Sequence, residues 1–180
     1  MIFTETKLKG AFIIDIKRIE DDRGFFARAW CQNEFKAHSL NTNIVQMNVA
    51  FSRKQGTIRG IHYQKSPWQE AKLVRCTNGA IYDVIIDLRL GSPTHKQWIG
   101  VELTEENGRM LYAPEGFAHG YQTLQDNTEM YYQTTQFYAP ESAKGVRFDD
   151  PVFCILWPTE ITVISEQDRG WPDYSNQDRL

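Results

Sequence analysis

The sequence predicts an all-β protein, a jelly roll or β-barrel with short peripheral helices. Two observations carry this prediction: short runs rich in β-branched and aromatic residues recur along the chain, and turn-forming residues separate them. Many antiparallel strands at such spacing protect their edges by closing into a barrel or a two-sheet jelly roll, whose interior can hold a ligand. The predicted strands cover residues 11–19, 59–64, 72–76, 80–90, 97–103 and 129–137.

The segments between these strands have ordinary turn chemistry, such as Asn78-Gly79 and Pro114-Glu115-Gly116. One short, polar, helix-like stretch at residues 31–40 is expected to lie outside the sheets. No repeat, low-complexity linker or shift in composition marks a second domain. We therefore expect the 180 residues, 1–180, to form one domain with a core of its own.

The segment 80–90 shows the clearest strand alternation in the chain. Successive side chains of a strand point to opposite faces of its sheet. One face of this segment is entirely hydrophobic, whereas the other mixes apolar and charged residues. The first face holds Tyr82, Val84, Ile86 and Leu88, and the second holds Ile81, Asp83, Ile85, Asp87 and Arg89.

Composition and charge exclude several classes of protein. The formal net charge is −3 and no long basic block occurs, which argues against a nucleic-acid partner. The N-terminus lacks a signal-peptide pattern and no run of eighteen apolar residues occurs, so we expect neither export nor a membrane partner. Three widely spaced cysteines fit reduced thiols. A cytoplasmic location is the resulting expectation.

Two polar residues stand in predicted strands where apolar residues would suffice. His62, in the stretch RGIHYQ, is either a core histidine held by a hydrogen bond or a base directed into a cavity. Lys72 shares a strand face with Val74 and Cys76. Because an ammonium group rarely faces a core without a partner, Lys72 either points outward or lines an anionic cavity.

The stretch PEGFAH (114–119) has the P-x-G-x-x-H spacing of the second cupin motif. Metal-binding cupins carry H-x-H in their first motif, whereas this chain has His62-Tyr63-Gln64. Two imidazoles, His62 and His119, without an assured carboxylate make a poor catalytic metal site, so we expect no metal. His119 is then expected to be structural, with its ring hydrogen-bonded near the turn.

Eight segments, in order along the chain, resemble the dTDP-4-dehydrorhamnose 3,5-epimerase family. The similarity runs from about Lys9 to Asp168. It implies a dimeric cupin that needs no cofactor and epimerises a nucleotide-linked 4-keto-6-deoxy-hexose at C3 and C5. The segments are DDRGFF (21–26), GTIRGIHYQ (56–64), EAKLVRC (70–76), GAIYDVIIDLRLGSPT (79–94), PEGFAHG (114–120), FYAPESAKGVRFDDP (137–151), ILWP (155–158) and ISEQD (164–168).

The resemblance implies four catalytic roles. His62 matches the base that removes the protons at C3 and C5, and Asp168 matches the carboxylate that fixes its tautomer. Lys72 matches the cation near the C4 oxygen, and Tyr132 matches the acid that reprotonates the opposite face of the ring. Without the resemblance, Asp168 would be interpreted as a solvated loop residue and Tyr132 as an aromatic filling the barrel.

The resemblance also implies substrate-binding residues. Arg23 and Arg59 match residues that hold the diphosphate, for which a guanidinium group is well suited. In an ideal strand Arg59 and His62 face opposite sides, so the site requires a bulge, a rim position or a partner subunit. The other matching positions are Phe26, Gln46, Asn48 and His119.

The chain departs from the family at the expected nucleotide pocket, where Arg28 replaces a common glutamate and Ala50 a usual serine. A cytidine or other carrier therefore stays open beside thymidine. A single-centre epimerase, acting at C3 or C5 alone, is a second hypothesis. A metal-dependent cupin or a non-catalytic sugar-binding cupin is a third.

Overall fold

The computed structural model describes residues 1–174, which form mainly antiparallel strands. No helix within these residues is long and apolar enough to cross a membrane. The two helices are α1 (Gln32–Ala37) and α2 (Glu166–Arg169). The strands are β1 (Ile2–Glu5), β2 (Phe12–Asp15), β3 (Ile19–Asp21), β4 (Gly24–Phe26), β5 (Gln46–Ser52), β6 (Thr57–Gln64), β7 (Lys72–Asn78), β8 (Ala80–Asp87), β9 (Trp98–Thr104), β10 (Met110–Ala113), β11 (Phe117–Thr123), β12 (Thr128–Thr134), β13 (Ala143–Gly145) and β14 (Val163–Ile164).

Two sheets face each other and enclose the interior, which confirms the predicted all-β jelly roll with short peripheral helices. The first sheet has the strand order β1-β2-β10-β7-β12-β5. The second has the order β13-β6-β11-β8-β9, with β14 added parallel to β6. Strands β3 and β4 form a separate hairpin.

The positions of the strands agree with the predictions from the sequence better than the ends of the strands do. The predicted strand 11–19 is wrong beyond Asp15, because the chain leaves the sheet and forms the β3–β4 hairpin. The predicted strand 80–90 stops at Asp87, whose carboxylate accepts hydrogen bonds from the Arg89 backbone N–H (3.0 Å) and from Thr94 Oγ1 (2.7 Å). These bonds turn the chain away from the sheet.

The core has three parts, and the alternation along β8 separates two of them. Ile81 and Ile85 pack between the sheets with residues from both. Ile86 and Leu88 point to the opposite side, where the segment around Phe153 covers the second sheet. A third cluster around Phe35 lets α1 cover the outer surface of the first sheet. The mixed face of β8 is therefore the interior face, and it carries charge inward.

A bulge in β6 sets the direction of the side chains that matter most. His62 lies opposite His119, but Arg59 lies opposite Tyr121, so three steps on β6 face two steps on β11. Gly60 has a φ of +115°, and a Cβ there would lie 2.6 Å from the Cα of Gly120. The extra residue brings Arg59 and His62 to the lining of one cavity. The structure therefore contains the bulge, one of the three possibilities raised by the sequence.

Candidate active site

Two adjoining cavities open beside β6, with volumes of about 540 and 390 Å³. Both are lined by His62, Lys72 and Tyr132, three of the four residues predicted to be catalytic. The fourth, Asp168, lines the larger cavity. The barrel interior therefore collects these side chains from β6, β7, β12 and the C-terminal segment into one place.

His62 and Asp168 form a hydrogen-bonded pair although they are 106 positions apart in the sequence. The His62 Nε2 atom lies 2.6 Å from Asp168 Oδ1. The carboxylate side chain is 7% exposed, whereas the imidazole is 46% exposed and faces the cavity. A buried carboxylate thus orients an accessible imidazole, which is the arrangement of an oriented general base.

Local sequence explains how Asp168 reaches His62. Strand β14 runs parallel to the start of β6, and Ser165 then caps the one-turn helix α2. The Ser165 hydroxyl accepts a hydrogen bond from the Asp168 backbone N–H at 3.0 Å. The carboxylate of Asp168 is left free to accept from the Gly60 N–H at 3.2 Å and from His62. The residue at the bulge, Gly60, thus also donates a hydrogen bond to the carboxylate of the His62–Asp168 pair.

The charge state of the pair follows from its surroundings. Burial by itself would raise the pKa of Asp168. The hydrogen bond from His62, the charge of the His62 ring and the hydrogen bond from the Gly60 N–H outweigh burial and hold that pKa below its ordinary value. Asp168 is therefore ionised at neutral pH and can only accept hydrogen bonds. In the neutral form of His62, donation through Nε2–H to this carboxylate makes Nδ1 the ring nitrogen that can take a proton.

Lys72 lines both cavities and is 9% exposed, so the outward orientation left open by the sequence is wrong. Its Nζ atom lies 3.1 Å from Glu70 Oε1, and both side chains are nearly buried. The Glu70 carboxylate explains why a lysine can lie on an interior face, because it pairs with the buried ammonium. Lys72 places a positive charge beside His62 and Tyr132 in the wall of the two cavities.

Tyr132 on β12 is half-buried and lines both cavities. Burial raises the pKa of its phenol, the nearby Glu70 carboxylate raises it further, and Arg59 opposes the shift. The phenol therefore carries its proton at neutral pH. Tyr131 points the other way, as the strand alternation predicts, and its hydroxyl lies 2.8 Å from Met47 Sδ.

His119 is buried next to His62 in the sheet, and its ring is held by a charged neighbour. His119 Nε2 lies 2.7 Å from Oδ1 of Asp83, which is fully buried on β8. The expected bond near the turn is therefore wrong, because the partner comes from the adjacent strand. His119 also lines the larger cavity. Within residues 1–174 no group of three or more His, Cys, Asp or Glu side chains is placed to hold a metal ion.

The predicted substrate-binding residues divide into two groups. Gln46 and Asn48 line the smaller cavity, and Arg59 lines the larger one, where its Nη2 donates to the Phe51 carbonyl at 3.0 Å. Arg23 and Phe26 belong to the exposed β3–β4 hairpin and line neither cavity. Within the described part of one chain, the structure does not bring this second pair to the site.

Sequence reasoning missed a buried glutamine that shapes the cavity wall. Gln64 stands two residues after His62, where metal cupins have a second histidine. Its Nε2 donates to the carbonyls of Trp68 (2.8 Å) and Phe137 (3.1 Å), and its Oε1 accepts from the Ala139 N–H at 2.6 Å. One side chain thus joins two loops beside the smaller cavity. The shared strand face of His62 and Gln64 was the available signal.

Comparison with known proteins agrees with this geometry. The family model described as dTDP-4-dehydrorhamnose 3,5-epimerase matches residues 5–176. A protein of that name from Methanothermobacter thermautotrophicus is 41% identical over 172 residues, which is 94% of this chain and 92% of the relative.

Two solved structures are similar over nearly the whole chain. A dTDP-4-dehydrorhamnose 3,5-epimerase from Bacillus anthracis, with TDP and PPi bound, has a TM-score of 0.93 and 39% identity over 96% of this chain and 99% of its own. A 3'-monoepimerase from Streptomyces bikiniensis, in complex with dTDP-quinovose, has a TM-score of 0.86 and 31% identity over 93% and 85% of the two chains. The chain belongs to the dTDP-4-dehydrorhamnose 3,5-epimerase family.

Proposed function

We propose that this chain epimerises dTDP-4-dehydro-6-deoxy-D-glucose at C3 and C5 to dTDP-4-dehydro-L-rhamnose without a cofactor, with residues 1–180 acting as one domain. The observation that carries the proposal is the His62–Asp168 pair at 2.6 Å, in a cavity that also holds Lys72 and Tyr132. A base, a cation and an acid are the three groups that proton transfer next to a ketone requires.

Each residue has one task in the proposed reaction. His62 Nδ1 removes the proton at C5 or C3, and Asp168 stabilises the imidazolium that forms. Negative charge moves to the C4 oxygen, where the Lys72 ammonium stabilises the enolate. Tyr132 delivers a proton to the opposite face of the ring, which inverts the centre. Its raised pKa keeps that proton available before the transfer.

Arg59, Gln46, Asn48 and His119 are the proposed binding residues within the same chain. The guanidinium group of Arg59 suits a diphosphate, and the amides of Gln46 and Asn48 line the smaller cavity, where a nucleoside can be recognised by hydrogen bonds. Arg28, which replaces a glutamate common in the family, pairs with Glu34 at 3.3 Å on the surface. The proposed carrier is thymidine diphosphate, as in the name of the family.

Epimerisation at a single centre is the second candidate, and one observation favours it. The similar 3'-monoepimerase from Streptomyces bikiniensis has the same fold at 31% identity. The position of the sugar relative to His62 and Tyr132 decides how many centres react, and a small shift in that position is enough to exclude one carbon.

Product analysis tests the proposed function. The protein is incubated with 4-keto-6-deoxyglucose linked to dTDP, and separately to CDP, and the ring proton couplings of the products are measured by NMR. We expect inversion at both C3 and C5 of the dTDP sugar. Inversion at one carbon would select the monoepimerase, and products only from the CDP sugar would overturn the proposed carrier.

We also propose a homodimer, supported by an apolar outer face on the first sheet. Strand β5 lies at the sheet edge, and its outward side chains Met47, Val49 and Phe51 are 58%, 61% and 49% exposed. The β3–β4 hairpin adds Phe25 and Phe26, also exposed. An edge strand with an apolar face is a surface that proteins cover. In the proposed dimer, Arg23 and Phe26 of one protomer reach the cavity of the other.

Val49→Glu tests the dimer. A carboxylate in the centre of an apolar interface would be desolvated without a partner, so we expect a monomer at micromolar concentration. We also expect weaker binding of TDP, because Arg23 and Phe26 would be lost from the site. Light scattering after size exclusion gives the mass, and Leu156→Glu at an exposed position is the control. A monomeric wild-type protein, or a dimeric Val49→Glu, would contradict the proposal.

The proposed location is the cytoplasm, where nucleotide sugars are interconverted for polysaccharide biosynthesis. The cysteines at positions 31, 76 and 154 are all free thiols, which fits a reducing compartment. Besides the second protomer, the proposed partner is the nucleotide sugar, with neither nucleic acid nor membrane.

A further inference from the structure

Glu70 lies two residues before the first residue of β7 and has no step of its own in the proposed reaction. Its side chain is only 12% exposed and lines the smaller cavity. Oε1 lies 3.1 Å from Lys72 Nζ. Oε2 lies 3.4 Å from Gln64 Nε2, a secondary contact because the two hydrogens of that amide have nearer acceptors in the Trp68 and Phe137 carbonyls. A buried carboxylate at this place needs a reason, because burying a charge costs free energy.

Glu70 lies between Gln64, a fixed residue of the cavity wall, and the ammonium group of Lys72, whose side chain has many rotamers. Gln64 is fixed by backbone groups of Trp68, Phe137 and Ala139. Lys72, in contrast, carries its ammonium on a four-carbon chain with large rotamer freedom. The nearly buried Glu70 carboxylate lies between them, with Oε2 facing the fixed Gln64 amide and Oε1 paired with Lys72 Nζ at 3.1 Å, so the ion pair restricts the position of the ammonium. Such preorganisation is what electrostatic stabilisation of an enolate requires.

We infer that Glu70 is a positioning residue. It holds the Lys72 ammonium next to the position that the C4 oxygen of the sugar occupies during proton transfer. This inference rests on the proposed function. Glu70 acts through Lys72 and does not touch the reacting carbons. Its charge also acts on Tyr132, where it adds to the effect of burial in raising the pKa of the phenol and opposes Arg59. Besides Arg59, the ionisable groups that line the larger cavity with Tyr132 are His62, Lys72, His119, Tyr121 and Asp168.

Three variants test the inference by steady-state proton exchange at C3 and C5 of the 4-keto sugar. Glu70→Ala removes the anchor, and we expect kcat to fall about tenfold to a hundredfold with KM changed less than about threefold, since misplacing a group by about 1 Å has effects of this size. Glu70→Gln keeps an oxygen for Lys72, so we expect it to restore kcat to within about fivefold of wild type. Glu129→Gln, at a carboxylate that bonds Thr77 Oγ1 at 2.7 Å outside both cavities, is the matched control.

A double-mutant cycle separates positioning from simple loss of structure. If Glu70 acts through Lys72, then Glu70→Ala has little further effect on kcat in a Lys72→Ala background. Unchanged kcat in Glu70→Ala, or effects of the two substitutions that multiply, would overturn the inference. Wild-type activity is measured first. Its absence would remove the proposed function and the inference with it, whereas an active wild type with an insensitive Glu70→Ala would remove the inference alone.

Discussion

His62→Ala is expected to abolish deuterium incorporation at both C3 and C5 of the 4-keto sugar. His62 is the side chain in the cavity that combines an exposed imidazole with a buried carboxylate partner at 2.6 Å. General acid–base catalysis contributes about 10²–10⁴-fold, so we expect the exchange rate at each carbon to fall by at least about 10³-fold. The rate is measured by proton NMR in D₂O with excess enzyme.

The control for this experiment is His95→Ala, in the turn between β8 and β9 and outside both cavities. We expect it to exchange at the wild-type rate. Binding of TDP by calorimetry shows whether the His62→Ala cavity is intact. If His62→Ala bound TDP and still exchanged either proton at the wild-type rate, another base would serve that carbon.

Tyr132→Phe is expected to separate proton removal from inversion. The substitution leaves His62, Asp168 and Lys72 in place, so the base can still form the enolate. The phenol that protonates the opposite face is lost, and the same-face base can return the proton instead. We expect deuterium to enter the recovered substrate, while formation of inverted product falls about 10²-fold. NMR of the recovered sugar gives both quantities in one sample.

Tyr131→Phe is the matched control, because this neighbour points to the outer face of the same strand. We expect Tyr131→Phe to invert the sugar as the wild type does. Inverted product from Tyr132→Phe at the wild-type rate would show that another group or a water molecule is the acid. Loss of exchange as well as inversion would show that Tyr132 is needed to form the enolate.

Much of the fold follows from local signals in the sequence. The alternation in β8 separates Ile81 and Ile85, which pack between the sheets, from Ile86 and Leu88, which pack outside. Strand ends were predicted less well. The end of β8 depends on hydrogen bonds from Arg89 and Thr94 to the Asp87 side chain. A side chain that turns the chain in this way is invisible to a pattern of apolar residues.

The catalytic set could be named from family resemblance, but its contacts could not be derived from spacing. His62 and Asp168 are 106 positions apart in the sequence, and the pairing of β14 with β6 brings them together, a long-range feature without a local signal. The bulge at Gly60 follows from a close approach to Gly120. Asp83 appeared in the sequence only as a charge on the mixed face of β8, and its pairing with His119 required the sheet register.

Glu70 shows a different limit. It stands two residues before Lys72, so strand alternation would have placed the two on one face. A Glu-x-Lys pattern is also common on solvated strands, where such pairs contribute little. Only the 3.1 Å contact in a nearly buried setting distinguishes this pair from a surface ion pair. Burial, which depends on the whole fold, turns a common pattern into a specific hypothesis.

The most direct test of the proposed reaction is wild-type exchange with dTDP-4-keto-6-deoxyglucose in D₂O, followed at C3 and C5 by NMR. One base below the ring and one acid above it should introduce deuterium at both carbons, with inverted product. Deuterium at one carbon alone would identify a single-centre epimerase. Bound nucleotide sugar that gains no deuterium at either carbon would contradict the assignment of His62 as a catalytic base.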